Sequence, residues 1–383
     1  MIRHLFKHNM KRLILTPYCI GLGLGLTALA TNATADEAGA LYTMDNAAGA
    51  NNVLVFERHA NGALSAAGSV PTGGAGTGAA QGLPSQGSVL LSHDGGWLFV
   101  CNAGSGEISV FAVSPHRLRL TDKVSSGGQM PLSLGLRGNL LYVLNAGGLV
   151  GDKDNITAFV LANGTLRPLH HSTRALSADN TGPAQVSFTA DGDAVVVTER
   201  ATSLIDTFLV GDDGLASVGK SFTSAGTTPF GFDVGKHDRV FVSEAQGGAA
   251  NASSASSYQI SEDGDLTVIS GAVRTEQTAA CWLITSQDGR FVYTANAGSG
   301  SISGFRVGHH GTLELLDADG QTGVTGPNTH PTDMVQSCDG RFLYSLNNGN
   351  GTISAFRAMP DGSLQSLTGL TGLPITSAGL AGR

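Results

Sequence analysis

The side chains with the clearest potential for chemistry are two glutamates, each at the end of an apolar run. Glu199 ends the run Ala-Val-Val-Val-Thr-Glu, and Glu244 ends Arg-Val-Phe-Val-Ser-Glu. A carboxylate in such a place can act as a general base on water, and two of them can hold a divalent cation with nearby Asn oxygens. If the two carboxylates lie close together and partly buried, the pKa of one is expected to be raised.

Arg200 directly follows Glu199. Neighbouring side chains on a regular strand point to opposite faces, so these two share a pocket only if the strand already bends there. In that case Arg200 can donate hydrogen bonds to a developing oxyanion. Otherwise it pairs with a carboxylate of the neighbouring sheet.

Both glutamates occupy a repeated position that is usually asparagine. The segments 97–113, 291–307 and 342–358 align over their whole length, and weaker copies precede and separate them. The seven copies of this position, which we call the anchor, are Asn46, Asn102, Asn145, Glu199, Glu244, Asn296 and Asn347. Asparagine suits the turn that follows, so the Asn anchors are either turn residues or ligand contacts. The Glu anchors are either solvated or ligand-facing.

Each copy carries the signals of four short strands. A run that starts near a proline comes first, and an Asp-Gly turn precedes the anchor strand in four copies, at Asp94, Asp191, Asp288 and Asp339. A Gly-rich turn, a third strand, a second turn such as Asn163-Gly164 and a last strand follow. Seven four-stranded units at intervals of about 50 residues predict an all-β, seven-bladed β-propeller. The first copy lacks its innermost strand, and we expect residues 374–380 to supply it and close the ring.

In a propeller, the starts of the innermost strands and the anchors meet on one face, which also receives the long loops. We expect a small-molecule site in a central funnel there. Gln185, Asn145 or Arg200 would donate to an oxyanion beside Glu199. The predicted substrate contacts are Gln86, Asn102, Asn145, Glu244, Trp282, Asn296, His330 and Asn347.

Composition excludes several classes of protein. Glycine contributes 54 of 383 residues, only 14% are charged, 41% are apolar, and the net charge is −8. This profile argues against a nucleic-acid binder, which needs a basic face, and against a disordered chain. We expect a monomer that binds a small molecule without a cofactor.

The N-terminal segment has the layout of a secretory signal peptide. A basic stretch with Lys7, Lys11 and Arg12 precedes an apolar run over 13–30 and the Ala33-Thr34-Ala35 pattern. An uncleaved membrane anchor is the alternative. Cleavage of 1–35 would leave one propeller domain over 36–383. We expect this domain in the periplasm or outside the cell. No later segment is apolar enough to span a membrane.

The repeat motifs resemble those of a known family. Ser-x-Asp-Gly-Arg-Phe-x-Tyr, Asn-x-Gly-x-Gly-x-Ile-Ser-x-Phe and Asp-Gly-x-Leu are similar to the repeats of the seven-bladed lactonases, which include 6-phosphogluconolactonases and the fungal 3-carboxymuconate lactonising enzyme. The resemblance implies hydrolysis of a lactone or cyclic ester, or a related cycloisomerisation. It also implies that Glu199 is the family glutamate. Gln185 stands where the family has arginine, and Met130-Pro131-Leu132-Ser133 stands where it has histidine. A non-catalytic binding propeller of the cell envelope and a metal site at Glu199 and Glu244 are the alternatives.

Overall fold

The computed structural model describes residues 39–115, 117–147 and 153–383. The predicted signal peptide, 1–35, lies outside the described residues. Within them, neither of the two helices, the short 3-10 segments Lys236–Asp238 and Gln246–Gly248, is long and apolar enough to cross a membrane.

Seven antiparallel sheets form the blades of a propeller, which confirms the predicted all-β fold and blade number. Strands within a blade follow chain order from the axis outward, and the outer edge is split in blades 3 and 6. The strands are, for blade 1, β1 (Gly39–Met44), β2 (Asn52–Arg58) and β3 (Leu64–Pro71); for blade 2, β4 (Val89–Leu91), β5 (Trp97–Asn102), β6 (Glu107–Ser114) and β7 (Arg117–Ser125); for blade 3, β8 (Pro131–Arg137), β9 (Leu140–Asn145), β10 (Asn155–Ala162), β11 (Thr165–Pro168) and β12 (Arg174–Ala175); for blade 4, β13 (Pro183–Phe188), β14 (Ala194–Glu199), β15 (Leu204–Leu209) and β16 (Lys220–Thr223); for blade 5, β17 (Pro229–Gly235), β18 (Arg239–Glu244), β19 (Ser254–Ile260) and β20 (Leu266–Arg274); for blade 6, β21 (Ala280–Thr285), β22 (Phe291–Asn296), β23 (Ser301–Val307), β24 (Leu313–Leu315) and β25 (Gly323–Val324); and for blade 7, β26 (Pro331–Gln336), β27 (Phe342–Asn347), β28 (Thr352–Ala358) and β29 (Leu364–Thr371), with β30 (Ala378–Gly382) last in the chain.

The C-terminal strand closes the ring, as the sequence predicts. β30 pairs antiparallel with β1, so that Leu41 faces Gly382 and Tyr42 faces Ala381. The pairing starts a few residues later than predicted because Ser377 N–H folds back onto the Pro374 carbonyl in a turn. Leu380 packs beside Leu41 in the core between blades 1 and 7. This pairing covers the edge that β1 would otherwise expose.

The repeat motifs have direct structural roles. In blade 7, Ser337 Oγ donates to Asp339 and accepts from Phe342 N–H, which fixes the turn before β27. The tyrosine two residues on, Tyr344, donates to the Gly62 carbonyl of the neighbouring blade at 2.8 Å. Tyr293 makes the equivalent bond to Gly362. The motif therefore joins adjacent blades as well as shaping its own turn.

Two faces follow from this topology. The turn face carries the Asp-Gly turns at the ends of the inner strands. The loop face carries the starts of the inner strands, the anchors and the connections between blades. Predicted site residues such as Glu199 and His330 belong to the loop face.

Candidate functional site

Five inner strands begin in the same way on the loop face. The residue before each has a positive φ: Met130 (47°), Gly182 (61°), Thr228 (61°), Ala279 (55°) and His330 (49°). Its carbonyl accepts a hydrogen bond from the residue after the anchor, for example from Asn348 N–H to His330 at 3.2 Å. A β-bulge follows, as between Pro331 and Met334. Strained entry residues and bulges of this kind redirect side chains, here at the channel mouth.

The segment 84–88 fills the centre of the channel instead of continuing β4 toward the loop face. Gln86 caps the backbone of Leu283 in blade 6, donating to its carbonyl at 2.7 Å and accepting from its N–H at 2.9 Å. Trp282 Nε1 donates to the Ser85 carbonyl at 2.9 Å. We call residues 84–88 the plug, because they bond across the axis. Gln86 and Trp282, both predicted substrate contacts, hold the plug in place.

Gln185 is occupied in a similar way. Its amide donates to the Phe232 carbonyl at 2.8 Å and accepts from Phe232 N–H at 2.7 Å. The side chain is 8% exposed. Gln185 therefore joins the inner strands of blades 4 and 5, and its amide is not available as an oxyanion donor.

The asparagine anchors are structural. Asn102 accepts from Thr72 Oγ1 at 2.7 Å and donates to Ser109 Oγ at 2.8 Å, which ties its strand to the third strand and to the preceding connection. The four asparagines predicted to contact a substrate have no exposed surface: Asn102, Asn145, Asn296 and Asn347. Their side chains point into the blades and do not line the channel, in contrast to that prediction.

Glu244 is enclosed in the same position. Ser254 Oγ and Ser256 Oγ donate to its carboxylate at 2.5 Å, and Gly226 N–H donates at 2.9 Å. Burial raises the pKa of Glu244, and the hydrogen bonds from Ser254, Ser256 and Gly226 oppose that shift. The carboxylate therefore joins strands and connection much as an asparagine anchor does.

Glu199 has a different partner from the one predicted. Its carboxylate, with no exposed surface, accepts from Ser177 N–H at 3.0 Å and from Thr202 Oγ1 at 2.6 Å. Asp206 of β15, 1% exposed, lies within hydrogen-bonding reach of it. Burial, followed by the contact with Glu199, raises the pKa of Asp206 to about 7. The buried carboxyl pair is thus Glu199 with Asp206, and not Glu199 with Glu244.

In the described part of the chain, no group of three or more His, Cys, Asp or Glu side chains could hold a metal ion. The Glu199 and Glu244 carboxylates already accept hydrogen bonds from hydroxyl and amide groups. Both glutamates therefore serve the packing of blades 4 and 5.

Arg200 brings a cation to the channel mouth. The strand does bend after Glu199, so that Arg200 Nε donates to the Gly182 carbonyl at 2.9 Å and its guanidinium stacks over the Phe230 ring at 5.3 Å. None of the ion pairs among the described residues includes Arg200. Burial lowers the pKa of Arg200, and the ionised form of the nearby Cys281 would counteract this. A guanidinium fixed at two points and without a carboxylate partner is suited to bind an anion.

Cys281 and His330 stand at the starts of the inner strands of blades 6 and 7 on the same face. Cys281 is half-buried at the start of β21, and burial raises the pKa of its thiol to about 12, so the thiol stays protonated. His330 is also half-buried, and burial lowers its pKa despite a hydrogen bond to the Ala297 backbone. A neutral imidazole at neutral pH can accept a proton.

The family model of the seven-bladed β-propeller lactonases matches residues 39–177 and 235–369. The chain belongs to the seven-bladed lactonase family.

Solved structures share the fold of this lactonase-family chain at low sequence identity. The periplasmic gluconolactonase of Pseudomonas aeruginosa is 16% identical, with a TM-score of 0.70 over 90% of this chain and 99% of its own. A 6-phosphogluconolactonase candidate from Bacteroides fragilis is 18% identical, with a TM-score of 0.67 over 92% and 99%. A Lactobacillus plantarum protein is 16% identical, with a TM-score of 0.71 over 90% and 99%. No curated protein matches the chain.

Within this lactonase-family propeller, the structure brings together only some of the predicted site residues. Arg200 stands at the loop-face end of blade 4 and His330 at that of blade 7, while Gln86, Gln185 and Trp282 hold the inner strands together. Sequence reasoning missed the roles of Cys281 and Asp206. A signal for Asp206 exists: it stands seven residues after its anchor, where other blades have serine, namely Ser109, Ser303 and Ser354.

Proposed function

We propose that this lactonase-family chain hydrolyses a small lactone or cyclic ester at the channel mouth on the loop face. The observation that carries the proposal is the Arg200 guanidinium, held by the Phe230 ring and the Gly182 carbonyl without a carboxylate partner. Lactone hydrolysis develops negative charge on the carbonyl oxygen, and its product is a carboxylate. A preorganised cation at the mouth stabilises both.

His330 supplies the base in this proposal. Water attacks the lactone carbonyl carbon, the imidazole takes the proton of the water, and Arg200 stabilises the oxyanion. Collapse of the tetrahedral intermediate breaks the ring C–O bond, and the imidazolium returns the proton to the leaving alkoxide. A lowered pKa keeps His330 in its accepting form at neutral pH. The enclosed Glu199 takes no direct part in the reaction. It occupies the end of the strand that positions its neighbour Arg200.

The test is a panel of five- and six-membered lactones, measured by acid release with and without chelator. We expect turnover of at least one lactone, unaffected by chelator. Because His330 has a lowered pKa, kcat/KM should rise with pH through a value below the ordinary 6.5 of histidine and then level off. His330→Gln should remove this rise and lower kcat by roughly 10²-fold or more. A profile that His330→Gln leaves unchanged contradicts the role of the base.

A non-catalytic binding propeller is the second candidate. The observation that favours it is the enclosure of Glu199 and Glu244, the two carboxylates that the sequence offered as bases. In that case no lactone of the panel is hydrolysed. The hydroxy acids that ring opening of these lactones would produce still bind, and Arg200→Gln weakens their binding.

The chain is further proposed to be exported, on the layout of residues 1–35. The exported protein is proposed to be a monomer. Protein purified from the periplasm or the medium should begin near Asp36 and elute from a sizing column as one copy. An intact N-terminus on this material, or its recovery only from the cytoplasm, contradicts export.

A further inference from the structure

We propose that the turn face carries a second binding site, for a saccharide with a carboxylate group of the uronic-acid type. The site is a cavity of about 950 Å³ at the turn-face ends of the inner strands of blades 2 to 5. This is within the size range of small-molecule sites. The plug separates it from the channel mouth at Arg200, because Gln86 bonds across the axis between the two ends. The two sites can therefore be tested independently.

An aromatic side chain lines this cavity and is held firmly. Trp97 is half-buried, and its six-membered ring packs on Gly164 of the Asn163-Gly164 turn. A Cβ at Gly164 would lie 2.6 Å from the ring, so glycine is needed for this contact. The fixed indole offers a flat apolar surface, which matches the C–H face of a sugar ring.

Unused hydrogen-bonding groups surround the indole. Arg137 is exposed, and one terminal nitrogen donates to the Asp191 carbonyl at 3.1 Å. Among the described residues, the His93 ring and the Asn139 amide, both exposed in the cavity wall, have no hydrogen-bond partner. Planar donors and acceptors of this kind suit adjacent hydroxyl groups.

The charges favour an acidic sugar over a neutral one. The carboxylates in the wall are already engaged: Asp94 accepts from Ser92 Oγ and Gly96 N–H, and Asp233 accepts from Thr285 N–H at 2.7 Å. The positive charge of Arg137 already attracts the nearby Asp191 carboxylate. Its remaining guanidinium donors keep the fork geometry that binds a further carboxylate through two hydrogen bonds. Arg137 therefore sets the preference for a uronate.

Calorimetric titration of the full chain with galacturonate, digalacturonate and galactose tests the proposal. We expect digalacturonate to bind at least tenfold more tightly than galactose, and Arg137→Gln to abolish this difference, because a hydrogen bond to a charged group is lost. Trp97→Phe should weaken both sugars while keeping an aromatic ring on Gly164. Arg119→Gln, the same charge change at an exposed residue of β7, is the matched control and should bind as the wild type does.

Two results overturn the proposal: no binding of any uronate, or equal uronate binding by the wild type and Arg137→Gln. Arg200→Gln and His330→Gln should leave digalacturonate binding unchanged, and Arg137→Gln should leave lactone turnover unchanged. If Arg200→Gln alone removes uronate binding, the sugar binds at the channel mouth and the turn-face site is excluded.

Discussion

Replacement of Arg200 by glutamine should lower kcat/KM for the hydrolysed lactone by about 10²–10³-fold, the effect of removing one oxyanion donor. Glutamine keeps an amide that can still reach the Gly182 carbonyl but loses the positive charge above Phe230. The loss should appear mainly in kcat, because the oxyanion forms only in the transition state. Steady-state kinetics on the substrate found in the lactone panel provide the measurement.

The control for this change is Arg174→Gln. Arg174 donates to the His171 carbonyl at 2.7 Å beside an exposed loop of blade 3, and it lacks a contact with the channel mouth. It should retain wild-type kinetics and the same far-UV spectrum. A loss of activity in Arg174→Gln equal to that in Arg200→Gln would show a general charge effect and would contradict the assigned role.

Replacement of Asp206 by serine should stabilise the protein at neutral and alkaline pH. The fold raises the pKa of Asp206 from an ordinary value near 4 to about 7, so the folded state favours the protonated carboxyl. The Asp206 carboxyl therefore stabilises the folded state fully below about pH 4, and this stabilisation is lost as the pH rises through about 7. The difference between the two pKa values corresponds to at most roughly 4 kcal/mol in the free energy of unfolding.

Serine is the most informative replacement because blade 5 already pairs its glutamate anchor with a serine on the third strand. There Ser256 Oγ, at the equivalent place on the third strand, donates to Glu244. Asp206→Ser should therefore give Glu199 a donor and remove the second carboxyl. Urea unfolding from pH 4 to 8 should show a smaller decline in the variant than in the wild type.

Other buried acids also make the free energy of unfolding fall as the pH rises. Burial raises the pKa of Asp333 to about 7 and also raises the pKa values of Asp233 and Glu244. The wild type should therefore lose stability with pH beyond the share of Asp206, and the difference between wild type and variant isolates that share. Parallel declines in the two proteins would exclude the Glu199–Asp206 pair as a cause.

The fold could be predicted in detail because its signals are local. Asp-Gly turns, Asn-Gly turns and alternating apolar runs act within a few residues, and each recurs in several blades. The Ser337, Asp339 and Phe342 contacts that shape one turn lie within five residues of each other. Strand number, blade number and closure by the C-terminal strand follow from counting these signals.

The direction of the anchor side chains could not be predicted in the same way. The sequence places Asn102 and Glu199 at the ends of strands on the loop face, but the end of a strand does not fix the side chain's orientation. Thr72 and Ser177, both in the connection from the preceding blade, draw these side chains into the protein. The sequence therefore located the ring of anchors correctly and left open whether it faces a ligand.

The sequence by itself determined the repeat, the seven blades, the closing strand and the family resemblance, since all of these depend on residues close together in the chain. Only the tertiary structure decided which polar groups remain available at the channel. Gln86 meets Leu283 at a sequence separation of 197 positions, and a pairing over that separation leaves no local pattern. The same holds for Arg200, whose place above Phe230 depends on the packing of two blades. Contacts within a blade or between adjacent blades bury the anchors and Gln185. The contacts of Gln86 and Trp282 join distant blades, and these arise only when the ring is closed.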